Sequence, residues 1–370
     1  MAIAACTGYG EEVRRALQQC FELLGGIRAL VKGKTVTVKV NLTGTDFRNF
    51  LNRTCGETYM THFATAYALA QLLIEAGARR IRFTESTNAR AGLQTSMDFA
   101  GWDVKGLEGL GKVEFENTRN LGSSQSYGSL KVPFGGYCFS QFEFNRAYTD
   151  TDVMVSLCKL KQHLTAGVTL SLKNLFGITP NAVYGEQAGS EEGTKGRAPL
   201  HYPSLFKQIK LPSAKEGMAA LEPTSRVPRI VADICAARPI DLAIIDGITS
   251  ISGGEGYWCG EAEKLALVQP GLLIAGLNPV CADAVGTAVM GYTNPRAPHG
   301  EGAFKFCDNT LLLAEQAGLG TADLAKIELR GLSLEKARHP YPELEVAKQA
   351  SKSKPQTSAE GEPRPKSQDH

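Results

Sequence analysis

An apolar run, Val153-Met154-Val155-Ser156-Leu157-Cys158, passes without a linker into Lys159-Leu160-Lys161-Gln162-His163. A string of hydroxyls then leads to Lys173-Asn174-Leu175-Phe176-Gly177. A run of that kind reads as a buried strand. In a sheet covered on both faces, only the strand ends are free for polar work, and in open α/β sheets ligands collect beyond the carboxyl ends. So many donors directly after such a strand restrict the chain to an architecture that delivers polar groups to one end of a sheet.

The flanking segments supply that sheet. Residues 11–24 have helical spacing, with Val13, Leu17, Phe21 and Leu24 on one side. Residues 35–40 read as a strand, 64–76 as a helix closed by Gly77, and 80–83 as a strand, which is a βαβ order. Residues 113–144 are rich in Gly, Ser, Tyr and Phe and predict hairpins or an inserted β-element. Parallel character resumes at Val153. Helices are expected over 227–237, 281–290 and 311–317, and strands over 241–245, 265–275 and 327–329. The expected fold class is α/β, with mainly parallel or mixed sheets and flanking helices around one deep crevice. Residues 1–342 form a single α/β domain on this reading, with lobes of about 1–150 and 151–342 as the alternative division. Residues 187–225 are long, polar and punctuated by Gly and Pro, which predicts a mobile lid. Residues 343–370 have too few apolar groups to offset chain entropy and read as a disordered tail.

Composition narrows the function classes. The formal net charge of +2 over 370 residues gives no reason to expect nucleic acid or an acidic membrane as partner. No apolar run is long enough to span a bilayer, and no leader is read at the start. Nine scattered cysteines without a Cys-x-x-Cys exclude a zinc ribbon and a ferredoxin motif, and imply a reducing compartment, the cytoplasm. The run 106–112 resembles a P-loop, but Val113 stands where the magnesium hydroxyl belongs, so a turn is expected.

The candidate site residues follow the strands. Lys39 and Asn41 alternate away from Val38 and Val40. A lysine there either snorkels to solvent or meets an anion. Thr61 and His62 precede a helix, where Thr61 has a capping role as its plainer reading. Glu85 follows the next strand. Lys159, Lys161 and His163 alternate, so an extended backbone projects all three to one side. Close lysines then lower one another's pKa and keep the histidine neutral, as a base. Lys173 and Asn174 lie between Leu172 and Leu175-Phe176, and a lysine so placed needs a partner or a function. The structural alternative pairs Lys173 with an acid such as Asp246. His201 is expected to reach inward from the lid. Asp246 follows a buried strand, and Glu255 lies in a glycine loop whose N–H groups suit an anion. Asp283 either faces the same region or is an acid in a helix first turn.

Together these segments resemble one family, domain of unknown function 362. The carrying residues are Val38-Lys39-Val40-Asn41-Leu42, Thr61-His62, Lys159 to His163, Val168 to Gly177, Asp246-Gly247 with Gly254-Glu255-Gly256, and Asn278 to Val285, spanning about residues 35–331. The family often has Pro where Val40 stands. Many members carry a ferredoxin-like iron–sulfur segment, and the cysteine spacing here excludes that form. The resemblance implies a shared fold and pocket without an established reaction.

The expected function is an enzyme that binds a small anionic metabolite, a carboxylate or phosphate, and does acid–base chemistry on it. His163 and Lys173 are the expected catalytic groups. Lys39, Asn41, His62, Glu85, Lys159, Lys161, Asn174, His201, Asp246 and Glu255 are the expected ligand-binding groups, with Lys39 and Lys159 holding charge. No metal set is expected, because no pair has the short ligand spacing. The cofactor and the oligomeric state are left open. The alternatives are a redox or cofactor-handling protein, and a non-catalytic anion-binding protein.

Overall fold

The computed structural model describes residues 1–42, 48–87, 92–257 and 264–344. The fold is α/β, built on one mixed eight-stranded sheet. In chain order its strands are β1 (Ala2–Ala5), β2 (Thr35–Lys39), β3 (Arg80–Glu85), β4 (Val113–Asn117), β5 (Val153–Lys159), β6 (Leu242–Gly247), β7 (Leu272–Gly276) and β8 (Arg330–Gly331). Their spatial order is β8-β1-β7-β6-β5-β2-β3-β4. The run β6-β5-β2-β3-β4 is parallel throughout. Strand β7 runs against both its neighbours, β6 and β1.

The reversal at β7 has a local cause. Between β6 and β7 the described chain forms a two-stranded ribbon, Ser250–Ser252 with Ala266–Val268, and no α-helix. A parallel neighbour needs a crossover, whereas an antiparallel one needs only a turn. The expected single strand over 265–275 is therefore two, broken at Pro270-Gly271, where Gly271 takes φ 70°. The last strand falls at Arg330–Gly331 rather than 327–329, and β1 had no counterpart in the sequence reading. Within 113–144 the first strand joins the main sheet as β4, and only Gly128–Lys131 with Gln141–Phe144 make the expected hairpin. The short helix Val104–Glu108 ends in the turn expected before Val113.

Each face of the sheet is covered. On one face, helices α1 (Glu12–Leu23) and α2 (Phe63–Glu75) pack Val13, Leu17, Phe21, Leu69 and Leu73 on Val36, Val38, Val155, Leu157 and Ile244. The other face carries α3 (Ser171–Asn174) and α5 (Pro279–Val289) on the strands, with α4 (Pro223–Ala237) packed on α3 and α6 (Thr310–Gln316) on α4 and α5, in one core with Met154, Cys158, Ile245 and Ile274. Burial on both sides explains the near-continuous apolar strands. It also leaves the carboxyl ends of β2, β3, β5 and β6, adjacent in the sheet, to carry Lys39, Glu85, Lys159 and Asp246. Of residues 343–370 only Glu343 and Leu344 are described, and Leu344 is buried. The rest of the expected tail lies outside the described residues.

Candidate functional site

The alternation that shapes β2 and β5 sends their terminal lysines to opposite faces. Lys159 shares the parity of Val153, Val155 and Leu157, so it lies on the α1–α2 side. There its ammonium meets Asp246 at 3.2 Å, with both side chains fully buried. It also donates to the Tyr9 hydroxyl at 2.5 Å and the Thr249 carbonyl at 3.0 Å. Tyr9 and Thr65 donate to Asp246, each at 3.1 Å, as does the Ile248 N–H. The Tyr9 ring stacks on His62 at 3.6 Å, and the Nδ1 of His62 caps α2 by accepting from the Ala64 N–H. Burial, helped by Lys159, pushes His62 down to about 4. Lys159, Asp246 and His62 thus form a network of their own, apart from the other candidates. Asp246 belongs to Lys159, so it is not the partner of Lys173.

Lys39 has the opposite parity to Val36 and Val38 and faces α3. Its ammonium lies 2.6 Å from Glu85, both nearly inaccessible, and 3.4 Å from the Asn174 Oδ1. Asn174 returns a bond from Nδ2 to the Lys39 carbonyl at 3.0 Å. Glu85 also accepts from the Leu42 and Ser86 N–H groups, at 2.7 and 2.8 Å. Gly177 leaves room for this ammonium, because a Cβ at that position would stand a tight 3.1 Å from the Lys39 Nζ. Burial lowers the pKa of both Lys39 and Lys159, and the neighbouring carboxylate pulls each back. Burial, not a neighbouring lysine, is thus the leading cause at Lys159.

Lys161 and His163 do not extend β5. They form a separate hairpin, Lys161–His163 with Gly167–Thr169, so the three alternating groups take different partners. Lys161 donates to the Tyr59 and Glu255 carbonyls, at 2.7 and 3.2 Å. His163 Nε2 meets the Glu255 carboxylate at 2.5 Å, while Nδ1 accepts from the Thr165 N–H at 3.1 Å. An Nδ1 that accepts cannot carry a proton, so His163 is the neutral Nε2–H tautomer. Burial, with Lys173 and Lys161, keeps it below its ordinary pKa. Burial alone would raise Glu255, but His163, Lys173 and Lys161 hold its carboxyl at about 2. Gly253 places that carboxylate: it takes φ 85°, and a Cβ there would strike the Lys264 carbonyl.

Lys173 differs from the other three lysines. It is deep-set but partly exposed, and its ammonium makes no hydrogen bond or ion pair among the described residues. It rests 4.5 Å from the centroid of the Phe176 ring. Burial lowers it to about 8, against the pull of Glu255 and with the push of Arg197 and Lys39. Helix α3, which carries Lys173 and Asn174, is a single turn fixed from outside. Asp283 of α5 accepts from the Ser171 and Leu172 N–H groups, at 2.8 and 2.9 Å, and from the Ser171 hydroxyl at 2.5 Å. Asp283 therefore caps another helix and is not a first-turn acid of its own. Burial raises it to about 7, those three donors notwithstanding.

The expected lid segment is anchored at Arg197, a residue the sequence reading passed over, since one arginine in a long polar stretch carries no signal. Its guanidinium is buried and donates to Ser86, to the Thr179 carbonyl at 2.7 Å and to the Gly177 carbonyl at 3.1 Å. Its carbonyl takes the ring Nδ1 of His201 at 3.1 Å, which assigns the proton to Nδ1 and leaves the Nε2 lone pair open. The His201 ring lies 5.2 Å from Phe176. Lys173, His201, Phe176, His163, Glu255, Lys39, Glu85 and Asn174 are thus brought to one region. Asn41 is buried, and its Oδ1 has no hydrogen-bond partner among the described residues. Among the described residues no three His, Cys, Asp or Glu side chains cluster as a metal would need.

Burial pushes His201 down from 6.5 to about 4. The unfolded chain then binds more protons between those values. Stability contributed by the neutral ring is present above about 6.5 and lost as the pH falls toward 4. Relative to His201→Gln, wild type is expected to lose urea resistance steadily between about pH 7 and 4.5. A difference in urea midpoints that stays constant over that range would reject the assignment.

Comparison with known proteins gives a family and several distant relatives. The family model described as domain of unknown function (DUF362) matches residues 36–288, which contain every site residue named above except Tyr9. The thylakoid-associated protein of Synechocystis sp. is 26% identical over 272 residues, 72% of this chain and 68% of that protein. Among solved structures, a Thermotoga maritima protein aligns with TM-score 0.34 and 16% identity, over 67% of this chain and 52% of the other. The lactate racemase apoprotein of Thermoanaerobacterium thermosaccharolyticum aligns with TM-score 0.38 and 15% identity, over 75% and 54%. The chain spans about half the length of each of these two solved chains. Among the described residues no helix is long and apolar enough to cross a membrane.

Proposed function

This chain belongs to the DUF362 family, and from that premise we propose that it is an enzyme that binds a small carboxylate or phosphate and moves a proton on it. The observation that carries the reading is the Lys173 ammonium, deep-set and without a hydrogen-bonding partner among the described residues, beside a histidine with one open ring nitrogen. A charge held in that way costs stability unless a ligand uses it. Lys39, Lys161, Lys173 and Arg197 outnumber Glu85 and Glu255, so the region favours an anion. In this reading Lys173 and Arg197 hold the anionic group, and the Nε2 of His201 is the base. That base role passes to His201 because both ring nitrogens of His163 are engaged; His163 instead keeps Glu255 in place. Free thiols, seven of them buried among the described residues, support a reducing compartment, and the cytoplasm is the proposed location.

The test is thermal unfolding of the full chain with a panel of small carboxylates and phosphates, each at millimolar concentration. At least one is expected to raise the melting temperature, and neutral amides of the same size are not. A panel without effect, or equal effects from the neutral compounds, would remove the anion from the proposal. Binding without any turnover of the bound anion would favour the non-catalytic alternative.

A further inference from the structure

We propose that Lys173 is a nucleophile that forms an imine with a small oxo acid, so that the substrate class is carbonyl compounds bearing a carboxylate; this rests on reading the region as an anion-binding enzyme site. Four deep-set lysines end or follow the strands at this end of the sheet, and three are spent. Lys39 is held by Glu85, Lys159 by Asp246 and Tyr9, and Lys161 by two backbone carbonyls. A lysine that serves only to hold charge in place needs such partners. Lys173 has the face of Phe176 instead, a contact that leaves the nitrogen lone pair unclaimed once the proton is lost.

An amine attacks only when neutral and accessible, and Lys173 is partly exposed. Burial adds to this: with its pKa at about 8, it holds on the order of a hundredfold more neutral amine near pH 7 than a solvated lysine. The neighbours supply the remaining steps. Nζ attacks the carbonyl carbon, forming the C–N bond, while the π pair moves to oxygen, which takes a proton from water. The open Nε2 of His201 accepts the first proton that Nζ releases, then returns it to the hydroxyl, which leaves as water, and the second Nζ proton neutralises the hydroxide left when water protonated the oxygen. The C=N bond remains, and neither oxidant nor reductant is consumed. Arg197, fixed on three acceptors, is placed to hold the carboxylate.

The experiment incubates the full chain with pyruvate, and separately with glyoxylate, near neutral pH, then adds borohydride. Borohydride reduces an imine to a stable amine, so the chain gains the mass of the oxo acid less one oxygen. A single adduct is expected, mapped by peptide mass spectrometry to Lys173 and formed at least ~10-fold faster than on any other lysine, from the larger neutral fraction. Lys173→Arg keeps the charge and is expected to keep the thermal stabilisation by pyruvate while losing the adduct. Adducts spread over exposed lysines, with Lys173 no faster, would overturn the proposal. If pyruvate and glyoxylate stabilise the wild type without labelling Lys173, the imine is wrong and the anion site stands. If neither compound stabilises or labels, the imine proposal falls, and the anion site is decided separately by the wider panel of carboxylates and phosphates.

Discussion

Asp246→Ala is expected to lower the unfolding free energy by about 3–5 kcal/mol, the cost of stranding one member of a buried ion pair. The carboxylate accepts from Lys159, Tyr9, Thr65 and the Ile248 N–H, and both it and Lys159 are fully buried. Without it the ammonium keeps only a hydroxyl and a carbonyl. Urea unfolding at neutral pH gives the number. The double change Asp246→Leu with Lys159→Met is expected to lose less, because no charge is left stranded. A loss below about 1 kcal/mol for Asp246→Ala would mean that water already reaches the pair. Because this network faces α1 and α2, the folded fraction of Asp246→Ala should still bind the anion that wild type binds.

Lys173→Met should behave in the opposite way. Its stability without ligand should stay within about 1 kcal/mol of wild type or rise, since an unpartnered charge in a half-buried place is a cost of function. Wild type at a ligand concentration 100-fold above Kd gains about 2.7 kcal/mol. The variant should gain almost none of that. Thermal unfolding of both proteins, with and without the anion that stabilises wild type, decides it. A variant that unfolds much earlier yet keeps the full ligand gain would make Lys173 a structural residue.

The strands that end in the site were legible because burial on both faces writes itself as continuous apolar runs, as at 153–158. The polar residues at their ends were legible for the same reason, since nothing in a core explains them. What stayed hidden was pairing. Alternation places Lys39 and Lys159 on faces only relative to their own strands, and their opposite sides emerge from the order β5-β2 with its register of Val38 on Val155. Extending the alternation through Leu160 to His163 failed because the chain leaves the sheet there for a hairpin. His201 was read as a residue reaching inward, but Arg197, which fixes it, lies in a stretch whose backbone makes almost no regular structure. The direction of β7 depended on what joins it to β6. Pro270-Gly271 marked that break, in a segment read too readily as one strand.

Strand β1 sits between β7 and β8, with Ala2 opposite Ala275 and Ile3 opposite Gly331. Both neighbours come from the far end of the chain. During synthesis β1 emerges well before either of its neighbours and is therefore among the last strands to be paired, and its edge stays open while the parallel strands β2, β3 and β5 assemble. Contacts of such sequence separation slow folding and expose unpaired edges to other chains. The short apolar segment Ala2-Ile3-Ala4 is thus the place where a nascent or truncated chain is most exposed to misassociation. Ending the chain before β7 would leave it with no partner at all.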